Sequence, residues 1–178
     1  MATKEKLLTA VIRDREVATQ TYDWLQQNGH SPSDINVMMS EQTRATFSDK
    51  GTEGKIKKGD KALEGVATGG AIGTAVGATI GAVLAIGTSV LVPGLGLIVA
   101  GPILAALAGG GAGAVTGGIV GGLVGLGIPE SNAKAYEEAL KKGGVVFGIV
   151  PHSDEDAASV QKYFETHDAE NIVYANRT

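Results

Sequence analysis

Two ladders of glycine, each with a spacing of four residues, constrain this chain more than any other feature of its sequence. Every fourth residue of an α-helix returns to nearly the same face, so each ladder predicts a smooth stripe along one helix. Glycine costs about 1 kcal/mol per helical position relative to alanine, and close approach of a second helix backbone offsets that cost. We therefore predict that the two ladders are helix-packing interfaces. They are Gly65, Gly69, Gly73, Gly77 and Gly81, and Gly109, Gly113, Gly117, Gly121 and Gly125.

The block that carries the ladders is long enough for two membrane-spanning helices. It contains no Asp, Glu, Lys, Arg or His from Gly65 to Pro129. Pro93 and Gly94 interrupt it near the middle, which predicts a hairpin of two helical arms, each longer than the roughly 30 Å hydrocarbon core. Lysines on both sides of the block predict that both flanks, and with them both termini, lie in the cytoplasm. These are Lys55, Lys57, Lys58 and Lys61 before it and Lys134, Lys141 and Lys142 after it.

The second arm carries a further stripe of small residues. One groove of the arm is expected to receive the other arm of the same chain, and the second groove a neighbouring molecule, which predicts a homo-oligomer. The bulky residues of the second arm, among them Ile119 and Leu123, lie on the face away from the glycines. The predicted oligomer interface is Ala106, Gly110, Ala114, Gly118 and Gly122.

The remaining segments have the patterns of a soluble α+β domain. The pattern of residues 1–40 predicts a strand, a helix and a strand. The pattern of residues 129–178 predicts a helix, a strand, a second helix and a second strand. Two strand–helix–strand halves are typical of the ferredoxin-like sandwich, here split by the glycine-zipper helical hairpin of residues 61–128. Residues 41–60 are rich in Ser, Thr, Lys and Gly, which predicts a flexible linker.

Capping residues mark two of the predicted helices. Asp14 is placed to cap a helix that carries Trp24 on its apolar face. Ser153 is placed to cap a helix near the C-terminus, and Asp156 completes a capping-box spacing. We predict that the aromatic residues at helical spacing, such as Phe164, belong to the core of the sandwich.

Composition and motifs predict no catalytic, metal or cofactor site. The net charge of −4 and the lack of a basic patch interleaved with aromatics argue against nucleic acid, and the lack of cysteine excludes thiolate ligands and disulfides. His30, His152 and His167 each lie at a predicted loop or helix end, which favours surface histidines over clustered metal ligands. The neighbours His152, Ser153 and Asp154 cannot adopt triad geometry. The chain is therefore predicted not to be an enzyme and to need no cofactor.

Several motifs together resemble the bacterial general-stress (heat-induced stress) proteins, and the match extends over nearly the whole chain. They are AGPILAAL at 100–107, the glycines at 117, 118 and 121, GIPE at 127–130, AYEEA at 135–139 and GGV at 143–145. The resemblance implies a ferredoxin-like module with a glycine-zipper hairpin and an association with stress. It implies no enzymatic activity and transfers no catalytic residue.

Three functions remain open at this stage. The first is a stress-associated protein of the bacterial inner membrane that self-associates in the lipid bilayer and displays a cytoplasmic ferredoxin-like domain. The second is a soluble self-assembling structural protein of the cytoplasm with the hairpins buried in an oligomer core. The third is a sensor module for a small molecule that the sequence does not identify, an idea that rests on fold analogy.

Overall fold

The computed structural model describes residues 6–51, 89–92, 96–101 and 114–176, and within these ranges the chain forms six strands and five helices. The first part contains β1 (Lys6–Ile12), α1 (Arg15–Gln27), β2 (Ile35–Ser40) and α2 (Glu41–Gly51). The middle contains β3 (Ser89–Val92) and β4 (Leu97–Ala100). The last part contains α3 (Ala114–Gly125), α4 (Glu130–Lys141), β5 (Val145–Ile149), α5 (Asp154–Thr166) and β6 (Glu170–Asn176).

The strands form one antiparallel sheet in the order β3-β4-β2-β5-β1-β6. If β1, β2, β5 and β6 are numbered one to four along the chain, their order from the β6 edge is 4-1-3-2, with β1-α1-β2 and β5-α5-β6 as the two strand–helix–strand units. This is the ferredoxin-like arrangement. The predicted α+β class is therefore confirmed.

The predicted caps begin two of these helices. The Asp14 carboxylate accepts hydrogen bonds from the Glu16 and Val17 amides at 2.8 and 2.9 Å at the start of α1. The Ser153 hydroxyl accepts from the Asp156 amide at 3.1 Å at the start of α5. Because these bonds satisfy amides that lack a partner within their helix, both helices begin where the sequence predicts.

One face of the sheet is covered by α1, α5 and the buried Phe47 of α2. Tyr22 and Leu25 of α1 and Phe164 of α5 pack there against Phe147 of β5, all at most 1 % exposed. Trp24, predicted as core, is partly buried and stacks on Tyr163 with ring centroids 4.1 Å apart. This is the core that the two strand–helix–strand halves predict.

The opposite face of the sheet is covered as well, by α3 and α4. Ile119 and Leu123 of α3, the residues predicted to lie away from the glycines, are buried against sheet residues such as Met38. Tyr136 and Leu140 of α4 join the same cluster. The sheet therefore lies between two helical layers, and the glycine-rich segment contributes part of the second layer.

The middle of residues 61–128 differs from the predicted helical hairpin. Residues 89–92 and 97–100 are strands, and β4 pairs with β2 so that Ser40 lies opposite Leu97 and Val37 opposite Ala100. The physical reason is a run of β-branched and leucine residues on both sides of the Pro93-Gly94 sequence, which favours paired strands once a sheet edge is available. The predicted arms over 61–88 and 102–113 lie outside the described residues.

The predicted flexible linker of residues 41–60 begins as a helix. The Ser40 hydroxyl accepts a hydrogen bond from the Thr43 amide at 3.1 Å, and Phe47 is buried beneath the sheet. A cap and one buried aromatic side chain thus hold a segment whose composition otherwise resembles a linker. Residues 52–60 of the predicted linker lie outside the described residues.

Candidate functional sites at the two ends of the sheet

Six of the fifteen predicted interface residues fall within the described part of the chain, all of them in α3. They are Gly117, Gly121 and Gly125 of the packing ladder and Ala114, Gly118 and Gly122 of the oligomer stripe. The other nine lie outside the described residues. These are Gly65, Gly69, Gly73, Gly77, Gly81, Gly109 and Gly113, with Ala106 and Gly110.

The helix that carries these six residues is interrupted at Gly118. Its φ of 59° and ψ of −144° are not helical, and the axis of α3 kinks there. Residues on the two sides of a kink do not share one straight stripe. Over 114–125 the four-residue spacing therefore does not produce the continuous groove that it predicts.

None of the helices in the described ranges combines the length and the apolar character needed to cross a membrane.

A cleft rich in basic side chains opens at the end of the sheet where β1 and β2 finish and β5 begins. Its volume is about 420 Å³. Four of its lining residues are cationic, and none of the described residues that line it is acidic. Its basic residues are Arg13, Arg15, Lys141 and Lys142, and its polar residues include Ser40, Gln42, Thr43 and Thr46.

Three of the four cations form ion pairs with carboxylates outside the cleft. The Arg13 guanidinium donates two hydrogen bonds of 2.8 Å to Glu170, which raise the pKa of Arg13 and lower that of Glu170. Lys141 and Lys142 each pair with the glutamate four residues earlier in α4. All three basic side chains are between 46 and 69 % exposed, so solvent screens these pairs and they contribute little to stability.

The remaining wall of the cleft comes from the start of α2. The hydroxyls of Ser40 and Thr43 lie 2.8 Å apart, and Thr46 lines the same side. The Arg15 guanidinium lies over the ring of Phe47, 5.3 Å from its centroid, which fixes this cation beside the helix. The first turn of α2 therefore adds hydroxyl groups and the positive end of a helix dipole to the four cations.

A second cleft, of about 470 Å³, adjoins the first and reaches the glycine-rich helix. The two clefts share Ser40, Gln42 and Lys141. The second is also lined by Leu97 of β4 and Ile119 of α3. The cationic cleft is thus connected along the surface to residues of the segment predicted as the hairpin.

The histidines depart from the prediction of three separate surface residues. His30 is 2 % exposed, and its ring stacks on that of His152 with centroids 4.9 Å apart. His167 does lie apart, at the end of α5, where its Nδ1 is 2.8 Å from the Tyr163 carbonyl oxygen. The sequence carried one signal that the prediction did not use, a His-x-x-x-Asp spacing at both His30 and His152.

Neighbouring polar residues at the start of α5 have structural roles. Ser153 is the predicted N-cap, and Asp154 pairs with Lys6 at the exposed edge of the sheet.

Neither a protein-family model, nor a curated protein, nor a solved structure matches this chain. The resemblance to general-stress proteins therefore remains a prediction from the motifs.

Proposed function

We propose that the protein is a non-enzymatic sensor whose ferredoxin-like domain binds a small anion with two or more negative groups in the cationic cleft. Compounds that carry phosphate groups are the class that fits. The observation that carries the proposal is the convergence of Arg13, Arg15, Lys141 and Lys142 on one cleft of about 420 Å³. Arg13 lies between β1 and α1 and Arg15 begins α1, whereas Lys141 and Lys142 lie at the end of α4. The fold brings these two places together.

The charge arrangement favours an anion with several charged groups. Guanidinium and ammonium groups form their strongest hydrogen bonds with carboxylate or phosphate oxygens. The three ion pairs of the cleft cations are made with exposed or half-buried glutamates, so exchanging these partners for a ligand costs little. The hydroxyls of Ser40 and Thr43 bond to each other, which leaves one O–H of the pair as a neutral donor to a bound oxyanion, whereas the Thr46 hydroxyl donates to the Thr43 carbonyl oxygen.

The second cleft offers a path from an occupied site to the glycine-rich segment. Lys141 and Gln42 line both clefts, and Ile119 of α3 lines the second. A ligand that reorients Lys141 or Gln42 therefore acts on side chains that face α3. Binding would in this way bias the association of the glycine-rich segments of different molecules.

The same proposal includes self-association of the protein and its contact with a lipid bilayer. Val124 is 42 % exposed although it is apolar, and beside it a Cβ added to Gly125 would meet no atom within 4 Å among the described residues outside its own helix turn. If this patch receives a second copy, Gly125→Leu should weaken the oligomer without unfolding the chain. Native mass measurements in detergent and without it, compared between Gly125→Leu and the unaltered protein, test this step. An unchanged oligomer would remove this patch from the interface.

The anion proposal is tested by calorimetry on the full-length chain with inorganic pyrophosphate. Arg15→Gln and Lys142→Gln each remove one cleft cation, and each should weaken binding by roughly tenfold, the loss of about 1.4 kcal/mol typical of a charge-assisted hydrogen bond. Lys134→Gln is the matched control, because Lys134 lies on the same helix and has the same type of ion pair, with Glu130, but does not line the cleft. Equal weakening by all three variants, or no measurable binding, would refute the cleft as an anion site.

A further inference from the structure

Two histidines and two aspartates meet at the end of the sheet opposite the cationic cleft. His30 and Asp34 lie in the connection from α1 to β2, and His152 and Asp156 lie where β5 leads into α5. The two connections are neighbours because β2 pairs with β5 and Ile35 lies opposite Ile149. The group therefore joins the two halves of the ferredoxin-like domain.

The four side chains pair crosswise between the two halves. His30 Nε2 lies 3.1 Å from Asp156 Oδ1, and His152 Nε2 lies 3.3 Å from Asp34 Oδ2. Each imidazole thus pairs with the aspartate of the other half. Three of the residues each offer one potential ligand atom, and these atoms lie within 4.8 Å of one another. The three are His30, Asp34 and His152.

Backbone amides orient both carboxylates. Asp34 Oδ2 accepts from the Ser31 amide at 2.8 Å, and Asp156 Oδ2 accepts from the His152 amide at 2.8 Å. Burial raises the pKa of Asp34, but the bonds from Ser31 and the proximity of His152 outweigh it and leave that pKa below its ordinary value. Both carboxylates are therefore held in place by a second layer of hydrogen bonds, as the ligands of metal sites commonly are.

His30 supplies a second and independent observation. Its side chain is fully buried, and its Nδ1 has no hydrogen-bond partner among the described residues. A buried polar atom without a partner costs free energy and calls for a specific explanation. A metal ion bound at this nitrogen would supply the missing partner.

We propose that His30, Asp34, His152 and Asp156 form a binding site for a divalent transition-metal ion, with Zn²⁺ as the best match. Imidazole nitrogen and carboxylate oxygen bind Zn²⁺ at about 2.0–2.2 Å, usually with four ligands. The half-exposed His152 has the freedom to close the cluster onto such an ion. Sites built only from oxygen are preferred by Mg²⁺ and Ca²⁺, so two imidazoles select against those ions.

Occupation of the site would fasten the two halves of the domain to each other. The ion would be held by two residues that precede β2 and two that follow β5. Because the ligands are brought together only by the fold, a metal that binds the folded state stabilises it by mass action. This role is independent of the cationic cleft at the other end of the sheet.

The test uses the full-length chain without an affinity tag, after treatment with a chelator. Zn²⁺ is titrated by calorimetry, its effect on the melting temperature is measured, and Co²⁺ is added separately to follow its visible absorption bands. We expect Zn²⁺ to raise the melting temperature and Mg²⁺ to leave it unchanged. Cobalt bands of a site with nitrogen ligands should appear at one equivalent.

His152→Ala is the decisive variant, because its side chain is 53 % exposed and its removal leaves the core intact. It should weaken Zn²⁺ binding by roughly tenfold or more. His167→Ala is the matched control, a histidine outside the cluster whose removal should leave the affinity unchanged. The proposal is overturned by the absence of Zn²⁺ binding, by wild-type affinity in His152→Ala, or by equal losses in the two variants. Lys142→Gln, which affects only the anion cleft, should bind Zn²⁺ normally.

Discussion

The hydroxyl of Tyr136 lies 2.8 Å from the hydroxyl of Thr9, although 127 residues separate them in the chain. The same tyrosine donates a hydrogen bond of 2.6 Å to the Asn171 carbonyl oxygen. Tyr136 thus connects α4 to both β1 and the start of β6. This contact ties the second helical layer to the strands of the ferredoxin-like core.

Tyr136→Phe should lower the free energy of unfolding by about 1–2 kcal/mol, because it removes two hydrogen bonds, one of them fully buried. Tyr174→Phe is the control, since the Tyr174 hydroxyl bonds to the exposed Asp154 at the surface and its loss should cost less than about 0.5 kcal/mol. Urea denaturation of both variants measures the difference. Equal effects would mean that Tyr136 does not anchor α4.

The buried tyrosines should make the protein sensitive to alkali. Burial raises the pKa of Tyr22 and of Tyr136 to about 12, above the value of about 10 in an unfolded chain. The folded state therefore retains protons that the unfolded state has lost, so stability is complete below pH 10 and falls as the pH rises toward 12. Urea denaturation from pH 8 to 11.5 should show this decline, and a protein with both tyrosines changed to Phe should show a shallower one. An identical decline in that variant would assign the effect to other groups.

Gly101 tests whether the glycine-rich segment adds a strand to the sheet. Its φ is +103°, and an added Cβ would stand 2.6 Å from the Ile35 carbonyl oxygen at the start of β2. Gly101→Ala should therefore destabilise the protein by roughly 2–4 kcal/mol through strain and collision. Gly96→Ala should cost only about 1 kcal/mol, because its φ is also positive but the space around it is open. Thermal unfolding of the two variants measures these losses. An unchanged stability of Gly101→Ala would argue against the β2–β4 pairing.

A substitution at Gly118 distinguishes the kinked helix of the structure from the continuous helix that the glycine ladder predicts. In a continuous helix Gly118→Ala would stabilise the chain by about 1 kcal/mol. At the observed φ of 59° and ψ of −144° the same change should instead cost about 1–3 kcal/mol. Gly125→Ala, at a helical position with open space, should be neutral or stabilising. Denaturation measurements give the change in the free energy of unfolding for Gly118→Ala. A stabilised variant would indicate a continuous helix, and a destabilised one the kink.

Much of the ferredoxin-like domain could be predicted because its signals are local. Asp14 and Ser153 cap helices through bonds to amides two or three residues away, and such caps are readable from spacing. The run from Val145 to Val150 predicts a strand buried on both faces, and β5 is buried along its whole length. These elements needed no knowledge of the rest of the chain.

The candidate sites depend on contacts that spacing does not reveal. His30 and Asp156 are 126 residues apart in the chain, and the cleft cations lie at the end of α4 and at the start of α1. The His-x-x-x-Asp spacing within each half was visible, but the contacts between imidazoles and carboxylates form between the halves. Proximity of this kind is produced by strand order, which no local pattern encodes.

The sequence by itself determined the α+β class, the helix starts and the core strands, because caps, periodicity and turn residues act within a few positions of the chain. The tertiary structure alone decided that β3 and β4 extend the sheet, that Ile119 and Leu123 cover its second face, and that two histidines meet two aspartates. An apolar, glycine-rich segment can pack against another helix or against a sheet. The choice depends on which apolar surface is available, and here the open face and edge of the sheet provide it.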